Sequence, residues 1–124
     1  HEDTLEILRE CASADQRIVF HCYSGDAAMA QRLAEHGWYA SFAGPITYPA
    51  NSDLRAALAV LPRELVLVET DAPYLTPVPW RGCPNASYVM AHTVRFIAEL
   101  WGVSEAAACD QLRANTEAVY GSWW

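Results

Sequence analysis

The chain has 124 residues, of which 52% are hydrophobic, and it carries a net charge of −7 in which all eight basic residues are arginine. This length and composition fit one globular domain, exclude a disordered protein, and leave no apolar run near the roughly 20 residues that span a bilayer. We therefore expect a soluble protein. The acidic charge excludes broad electrostatic attraction to nucleic acid, so a phosphodiester substrate would need bound cations.

The cysteines and the first residues indicate the cellular setting. No two cysteines form a C-x-x-C pair, and the first residues are polar and acidic. These features predict neither structural zinc nor a disulfide framework nor a signal peptide, which favours a reduced, cytoplasmic protein. The chain lacks an initiator methionine and begins within a predicted helix, so we expect residues 1–124 to be part of a longer single domain.

The first part of the chain alternates between helical and strand patterns. Apolar residues at helical spacing predict a helix over residues 3–12, with Asp3 as its N-cap. An apolar run then predicts a buried strand over 17–22. A second helix is predicted over 27–36, directly after the N-cap Asp26.

The middle of the chain continues this alternation. A strand is predicted over 38–43, and a helix capped by Asn51 or Ser52 follows. The unbroken apolar run Leu65–Val68 then predicts a third strand over 65–70. Because one helical pattern separates each pair of strands, we expect three adjacent parallel strands in sequence order. The fold class is therefore α/β.

A long loop and two helices complete the chain. Residues 72–86 contain four prolines and should form an irregular loop, longer than compact domains use without a functional reason. Helices should begin at Ser87 and Ser104, so about five helices are predicted in total. The terminal Trp123 and Trp124 are expected to pack on another surface. The expected buried residues of the last two helices are Val89, Thr93, Phe96, Leu100, Ala108, Leu112, Asn115 and Val119.

Two predicted strand ends carry side chains that bind metal ions. His21 ends the first strand and Asp71 follows the third, and the carboxyl ends of parallel strands meet at one edge of a sheet. Imidazole and carboxylate groups suit Zn, Mn or Mg. The alternatives are a hydrogen-bonded core histidine and a loop-bracing carboxylate, and catalytic zinc usually keeps about three protein ligands. Glu69 is either a supporting group for a ligand or a buried, satisfied acid.

The long loop offers two polar side chains for a substrate. Arg81 and Asn85 are candidates for contact with a phosphate oxygen, and the alternative is that they only tie down the proline-rich loop. No G-x-G-x-x-G, Walker A or G-x-S-x-G motif occurs, so the sequence does not favour a nucleotide-binding loop or a serine nucleophile.

Four motifs surround these candidate residues. They are H-C-Y-S-G at 21–25, E-T-D-A-P-Y-L at 69–75, P-x-R-G at 79–82 with Asn85, and N-T with Y-G within 115–121. Together they resemble TatD-family metal-dependent deoxyribonucleases, and the likeness covers essentially the whole chain. The resemblance implies a TIM-barrel fragment of the metallo-dependent hydrolase type, the C-terminal part of the barrel.

The same resemblance implies roles for two residues. His21 would be a ligand of one divalent ion, and Asp71 would be a ligand of a second ion and would orient the attacking water. The ions would be Mg, Mn or Zn, and the reaction would be in-line hydrolysis of DNA phosphodiester bonds. The family's His-x-His on the first strand, glutamate on the fourth and histidine on the fifth have no counterpart here. We therefore expect this chain to be inactive alone.

Two other interpretations stay open. The chain could belong to another amidohydrolase-like metal hydrolase that acts on small esters or amides, or it could be a truncated, non-enzymatic module. In each case a three-stranded piece of a barrel would expose two sheet edges and the apolar inner faces of its strands. We therefore expect it to pair with the missing part of the barrel or to self-associate, and we expect no membrane partner.

Overall fold

The computed structural model describes residues 1–122, so the expectation for Trp123 and Trp124 lies outside the described residues. Short 3₁₀ turns at Gly44–Thr47, Arg63–Leu65 and Ser87–Val89 link some of the elements. The helices and strands are α1 (Glu2–Cys11), β1 (Val19–Phe20), α2 (Ala27–Glu35), β2 (Tyr39–Phe42), α3 (Ser52–Val60), β3 (Val66–Val68), α4 (Met90–Trp101) and α5 (Glu105–Tyr120).

The three strands form one parallel sheet in the order β1-β2-β3. Val19 pairs with Tyr39, and Ala40 pairs with Val66. This confirms the predicted α/β class and the predicted arrangement of adjacent parallel strands. Each strand is shorter than predicted, because the residues that end each apolar run continue into turns rather than into the ladder. Helices α2 and α3 make the two crossovers, as the sequence alternation requires.

One face of the sheet forms the core of the protein. Ala40, Phe42 and Val66 are at most 1% exposed and belong to a single apolar cluster with residues of all five helices. Burial of this apolar surface is the main source of stability in a domain of this size. We call the sheet face that carries Ala40, Phe42 and Val66 the outer face.

Helix α4 buries a different stripe from the predicted one. Thr93 is buried as expected, but the other large buried side chains are Val94 and Ile97, whereas Phe96 is only partly buried and Leu100 is 43% exposed. The prediction was wrong because the helix carries two apolar stripes side by side. Helical periodicity detects both of them, and only packing against the sheet selects one.

The helix starts depend on short-range contacts, and two of them differ from the prediction. Ser87–Val89 forms a 3₁₀ turn, so α4 begins at Met90 and not at Ser87. The Asp26 side chain accepts a hydrogen bond from the Met29 N–H at 2.9 Å, and Ser104 caps α5 in the same way. Asp3 does not cap α1, because that helix begins one residue earlier, with His1 at the N-cap and no side-chain cap. An acidic residue in the first turn still interacts favourably with the helix dipole.

The opposite face of the sheet, the inner face, lines a cavity of about 450 Å³. Ser41 and Leu67 on this face are 5% and 4% exposed. The expectation that the inner faces of all three strands lie uncovered together was therefore wrong for these two residues. Thr116 and Tyr120 of α5 line the same cavity, so the last helix lies beside this face. No helix within residues 1–122 combines the length and apolar character needed to cross a bilayer.

Candidate metal centre

The carboxyl ends of β1 and β3 meet at one edge of the sheet. His21 directly follows β1, and Glu69 directly follows β3. The backbone N–H of Glu69 donates to the Phe42 carbonyl at 3.0 Å, and the N–H of Tyr23 donates to the Ser41 carbonyl at 2.8 Å. These bonds hold both strand ends against β2, so the residues that follow them are placed by the sheet rather than by a free loop.

Three potential ligand groups converge at this edge. The ligand atoms of His21, Glu69 and Asp71 all lie within 4.8 Å of one another. The His21 Nδ1 atom is 2.9 Å from Glu69 Oε2, and Glu69 Oε1 accepts a hydrogen bond from the Cys22 N–H at 2.5 Å. The structure therefore brings the predicted pair, His21 and Asp71, to one place. The Glu69 carboxylate contacts His21, and its role as a supporting group for a ligand stays a prediction.

The backbone at the site is strained at two positions. Cys22 has φ 46° and Asp71 has φ 55°, and non-glycine residues rarely adopt this left-handed conformation. Such residues cluster at functional sites, where the surrounding contacts hold them in place. Both strained residues belong to or adjoin the group of potential ligands, so the strain marks the same edge of the sheet as the ligand geometry does.

The loop after Asp71 is held by a buried amide. Asn85 is 7% exposed, and its Nδ2 donates to the carbonyls of Thr70 and Tyr74 at 2.9 and 2.8 Å. The Asn85 N–H also donates to the Pro73 carbonyl at 2.9 Å. These contacts support the loop-bracing interpretation of Asn85, because its amide hydrogens already bond the chain on both sides of Asp71. Contact with a substrate stays a prediction.

Arg81 lies elsewhere on the same loop. Its guanidinium stacks on the Tyr48 ring, with the Cζ atom 3.9 Å from the ring centroid, while the residue as a whole remains exposed. An arginine stacked through its face keeps its N–H groups along its edge. Binding of a phosphate oxygen by Arg81 therefore stays a prediction that this geometry permits.

The Cys22 thiol lies beside the ligand group but does not share its chemistry. Burial, and then the negative charges of Glu69 and Asp71, raise the pKa of the Cys22 thiol above its ordinary value. A raised pKa keeps the sulfur protonated at neutral pH, and only the thiolate is a good ligand or nucleophile. The Cys22 backbone N–H, in contrast, donates directly to Glu69 Oε1.

The donor set fits a divalent cation in part. A neutral imidazole and a carboxylate are ligands that Zn²⁺ and Mn²⁺ accept, and Mg²⁺ accepts carboxylates together with water. Because both Glu69 oxygens have contacts already, His21 Nε2 and the Asp71 carboxylate are the donors free in this group. The described residues thus offer two donor groups of a type that divalent cations accept. His21 and Glu69 line the cavity of about 450 Å³ on the inner face of the sheet.

Comparison with known proteins identifies the family. Residues 1–121 match the family described as TatD related DNase. The chain belongs to this family. A TatD relative from Mycobacterium tuberculosis, named an uncharacterized metal-dependent hydrolase, is 39% identical over 122 residues. The Escherichia coli relative YcfH, with the same description, is 41% identical over 102 residues, which are 82% of this chain.

Solved structures agree with the fold of this TatD-family chain. The crystal structure of the TatD homologue YjjV from Escherichia coli aligns over 98% of the chain with a TM-score of 0.88 and 28% identity. A TatD-family hydrolase from Entamoeba histolytica aligns with a TM-score of 0.78 at 13% identity, which shows the fold alone. These neighbours are TIM-barrel proteins. The chain covers 46% of the Mycobacterium tuberculosis relative and 47% of YjjV, so it spans about half the length of these proteins.

Proposed function

We propose that this TatD-family chain supplies part of the metal centre of a hydrolase that cleaves DNA phosphodiester bonds. The observation that carries the proposal is the meeting of His21 and Asp71 at one sheet edge, with backbone strain at Asp71. The relatives from Mycobacterium tuberculosis and Escherichia coli are named metal-dependent hydrolases, which supports the reaction class. The preference for DNA rests on the family description and on the motifs in the sequence.

The chemistry assigned to this chain concerns two side chains. Divalent ions in such a centre polarise the phosphate oxygens and offset the negative charge that develops during hydrolysis. His21 would hold one ion through its free Nε2 atom. The Asp71 carboxylate would hold the second ion and accept a hydrogen bond from the attacking water, which orients that water. The cations also compensate for the net charge of −7, which disfavours a polyanionic substrate.

The test measures metal binding by the chain itself. Calorimetric titration with Mn²⁺ is expected to detect a site in the wild-type chain, and His21→Asn and Asp71→Asn should each weaken it at least about tenfold. Asp110→Asn is the matched control, because this exposed aspartate on α5 loses the same charge away from the sheet edge. Equal Mn²⁺ binding by all four proteins would contradict the proposed centre. No binding by any of them would favour the non-enzymatic module.

A substrate test separates the two enzymatic interpretations. We expect the full-length Mycobacterium tuberculosis relative to cleave DNA in a metal-dependent, chelator-sensitive manner, and this chain alone to show no comparable rate. The relative would be assayed in parallel on DNA and on small p-nitrophenyl esters. Hydrolysis of the esters without cleavage of DNA would favour the alternative hydrolase, and rapid DNA cleavage by the isolated chain would contradict the assumption that further ligands are needed.

The partners of the chain are part of the proposal. β1 and β3 each have one edge that no described strand pairs, and unpaired edges add further strands readily. We propose that further strands of a TatD-type barrel, or a second copy of the chain, pair with these edges. The four cysteines are free thiols, which supports a reducing, cytoplasmic setting. Analytical ultracentrifugation at micromolar concentration tests this pairing, and a well-folded monomer would contradict it.

A further inference from the structure

The Glu69 carboxylate connects two strands that are not neighbours in the sheet. Glu69 follows β3, while His21 and Cys22 follow β1, and β2 lies between these strands. The residues that follow β1 and β3 therefore come within reach of one side chain on the inner face of the sheet. Oε1 accepts the hydrogen bond of the Cys22 N–H, and Oε2 lies 2.9 Å from His21 Nδ1.

This contact determines which His21 nitrogen is available to a cation. A carboxylate only accepts hydrogen bonds, and Glu69 Oε2 lies 2.9 Å from His21 Nδ1, so its negative charge favours the proton on that nitrogen. His21 Nδ1 faces Glu69 Oε2, and the lone pair of the neutral ring therefore lies on Nε2. A metal ion needs that lone pair, and the carboxylate makes the required tautomer the favoured one.

The contacts of Glu69 favour a supporting role over direct ligation. Its side chain is only 12% exposed, whereas the His21 side chain is 71% exposed. Oε2 is buried without a hydrogen bond of good geometry among the described residues, so the His21 ring is its polar contact there. Oε1 is occupied by the N–H of Cys22, whose φ of 46° places it in the left-handed region. One carboxylate thus holds both the His21 ring and the strained backbone beside it.

We propose that Glu69 is a positioning residue that holds His21 in the Nδ1–H tautomer, with Nε2 presented to the metal ion. This inference rests on the proposed metal centre for its functional meaning. The tautomer itself does not depend on metal, so it can be measured separately.

The first measurement is the His21 tautomer in the metal-free chain. Long-range ¹H–¹⁵N correlation spectra of the neutral imidazole, recorded at alkaline pH, distinguish a protonated Nδ1 from a protonated Nε2. The His21 signals are assigned by their loss in the His21→Asn variant. We expect the Nδ1–H tautomer in the wild-type chain. A predominant Nε2–H tautomer would overturn the proposal without any variant of Glu69.

The second measurement uses Glu69→Gln, which keeps the size of the side chain but leaves only one oxygen atom that can accept a hydrogen bond. The Cys22 N–H can only donate, so it should take the amide oxygen, and the amide NH₂ then faces His21 Nδ1. We therefore expect the tautomer to shift toward Nε2–H and the Mn²⁺ affinity to fall about 10- to 100-fold. Glu64→Gln is the matched control, since this exposed residue loses the same charge away from the site, and it should change neither readout.

The outcomes separate this inference from the proposed function. A wild-type Nδ1–H tautomer that Glu69→Gln reverses, in a chain that binds no Mn²⁺, would support the positioning contact and contradict the metal centre. An unchanged tautomer together with unchanged Mn²⁺ affinity in Glu69→Gln would overturn the role of Glu69. Circular dichroism confirms that each variant is folded, and if Glu69→Gln does not fold, the wild-type spectrum still decides the assignment of the proton.

Discussion

The outer face of the sheet and its carboxyl edge differ sharply in burial, although they lie on the same strands. Phe42 is 1% exposed on the outer face, whereas the His21 side chain, one residue beyond the end of β1, is 71% exposed. The outer face is composed of apolar side chains that pack on helices. The edge holds charged groups and two residues, Cys22 and Asp71, in the left-handed backbone region.

This difference indicates how the molecule separates stability from chemistry. Apolar burial on the outer face contributes most of the folding free energy, and it offsets the cost of strained backbone and clustered acidic groups at the edge. Substitutions at the two regions should therefore differ in whether they lower stability or metal affinity. Changes on the outer face should lower stability, and changes of the candidate ligands should lower metal affinity with little effect on stability.

The largest expected effect is at the centre of the outer face. Phe42→Ala should lower the free energy of unfolding by about 3–5 kcal/mol, because it removes a fully buried aromatic ring and leaves a cavity. Leu100→Ala is the control, since its side chain is 43% exposed on α4, and it should cost less than about 1 kcal/mol. Urea denaturation measures both values. A similar loss in the two variants would show that α4 packs through the other stripe.

The next effect is at the point where the sheet meets the long loop. A Cβ atom added at Gly44 would lie 2.0 Å from the Leu75 carbonyl oxygen and 2.8 Å from the Pro77 nitrogen, and backbone atoms cannot rotate away. Gly44→Ala should therefore destabilise the fold by about 1–3 kcal/mol.

Gly25→Ala is the comparison for Gly44, because the added Cβ atom there would meet side-chain atoms of Met29 and Tyr23 at 2.6 Å. The flexible methionine can move, so the unfolding free energy should fall less than in Gly44→Ala. Thermal denaturation ranks the two variants. A larger loss of stability in Gly25→Ala would mean that the backbone of the long loop moves to accept the Cβ atom at Gly44, whereas the side chains of Met29 and Tyr23 do not move at Gly25.

A smaller effect should appear in the pH dependence of the free energy of unfolding, through Tyr23. Burial, and then the charge of Asp26, raise the pKa of Tyr23 to about 12, while its hydroxyl donates to the Asp26 carbonyl at 2.7 Å. Because the folded pKa lies above the ordinary value of 10.0, the neutral phenol stabilises the fold below pH 10. That contribution is lost as the pH rises from 10 toward 12.

Unfolding measured between pH 9 and 12 should show this loss in the wild-type chain and a smaller loss in Tyr23→Phe, since phenylalanine has no proton to release. Tyr88→Phe is the control, because Tyr88 is 82% exposed and its removal should leave the pH dependence unchanged. Identical curves for all three proteins would show that folding does not raise the pKa of Tyr23.

The smallest expected effect on stability is at the edge itself. His21→Asn and Asp71→Asn should each change the free energy of unfolding by less than about 0.5 kcal/mol, because both side chains are exposed and asparagine tolerates the left-handed region. The same variants should lose Mn²⁺ affinity. A loss of several kcal/mol in either variant would indicate that the edge contributes to folding and would remove the contrast between the regions.

The sequence predicted much of this arrangement because its signals are local. Apolar runs and helical spacing within short windows were enough to identify three parallel strands, five helices and the caps at Asp26 and Ser104. The positions of His21 and Asp71 after two such strands were enough to predict that they meet. The stripe of α4 was predicted incorrectly, since packing against residues distant in sequence selects it, and the start of α1 was predicted incorrectly because Asp3 does not cap that helix.

The amino-acid sequence by itself determined the order of the elements, the family resemblance and two candidate ligands, because motifs and periodicity are properties of neighbouring residues. Only the tertiary structure decided that Glu69 reaches over β2 to His21 and Cys22. It also decided that the Asn85 amide is buried against the backbone around Asp71. The reason is that partners 47 or 15 residues apart are brought together by strand register and loop closure, which no local pattern encodes.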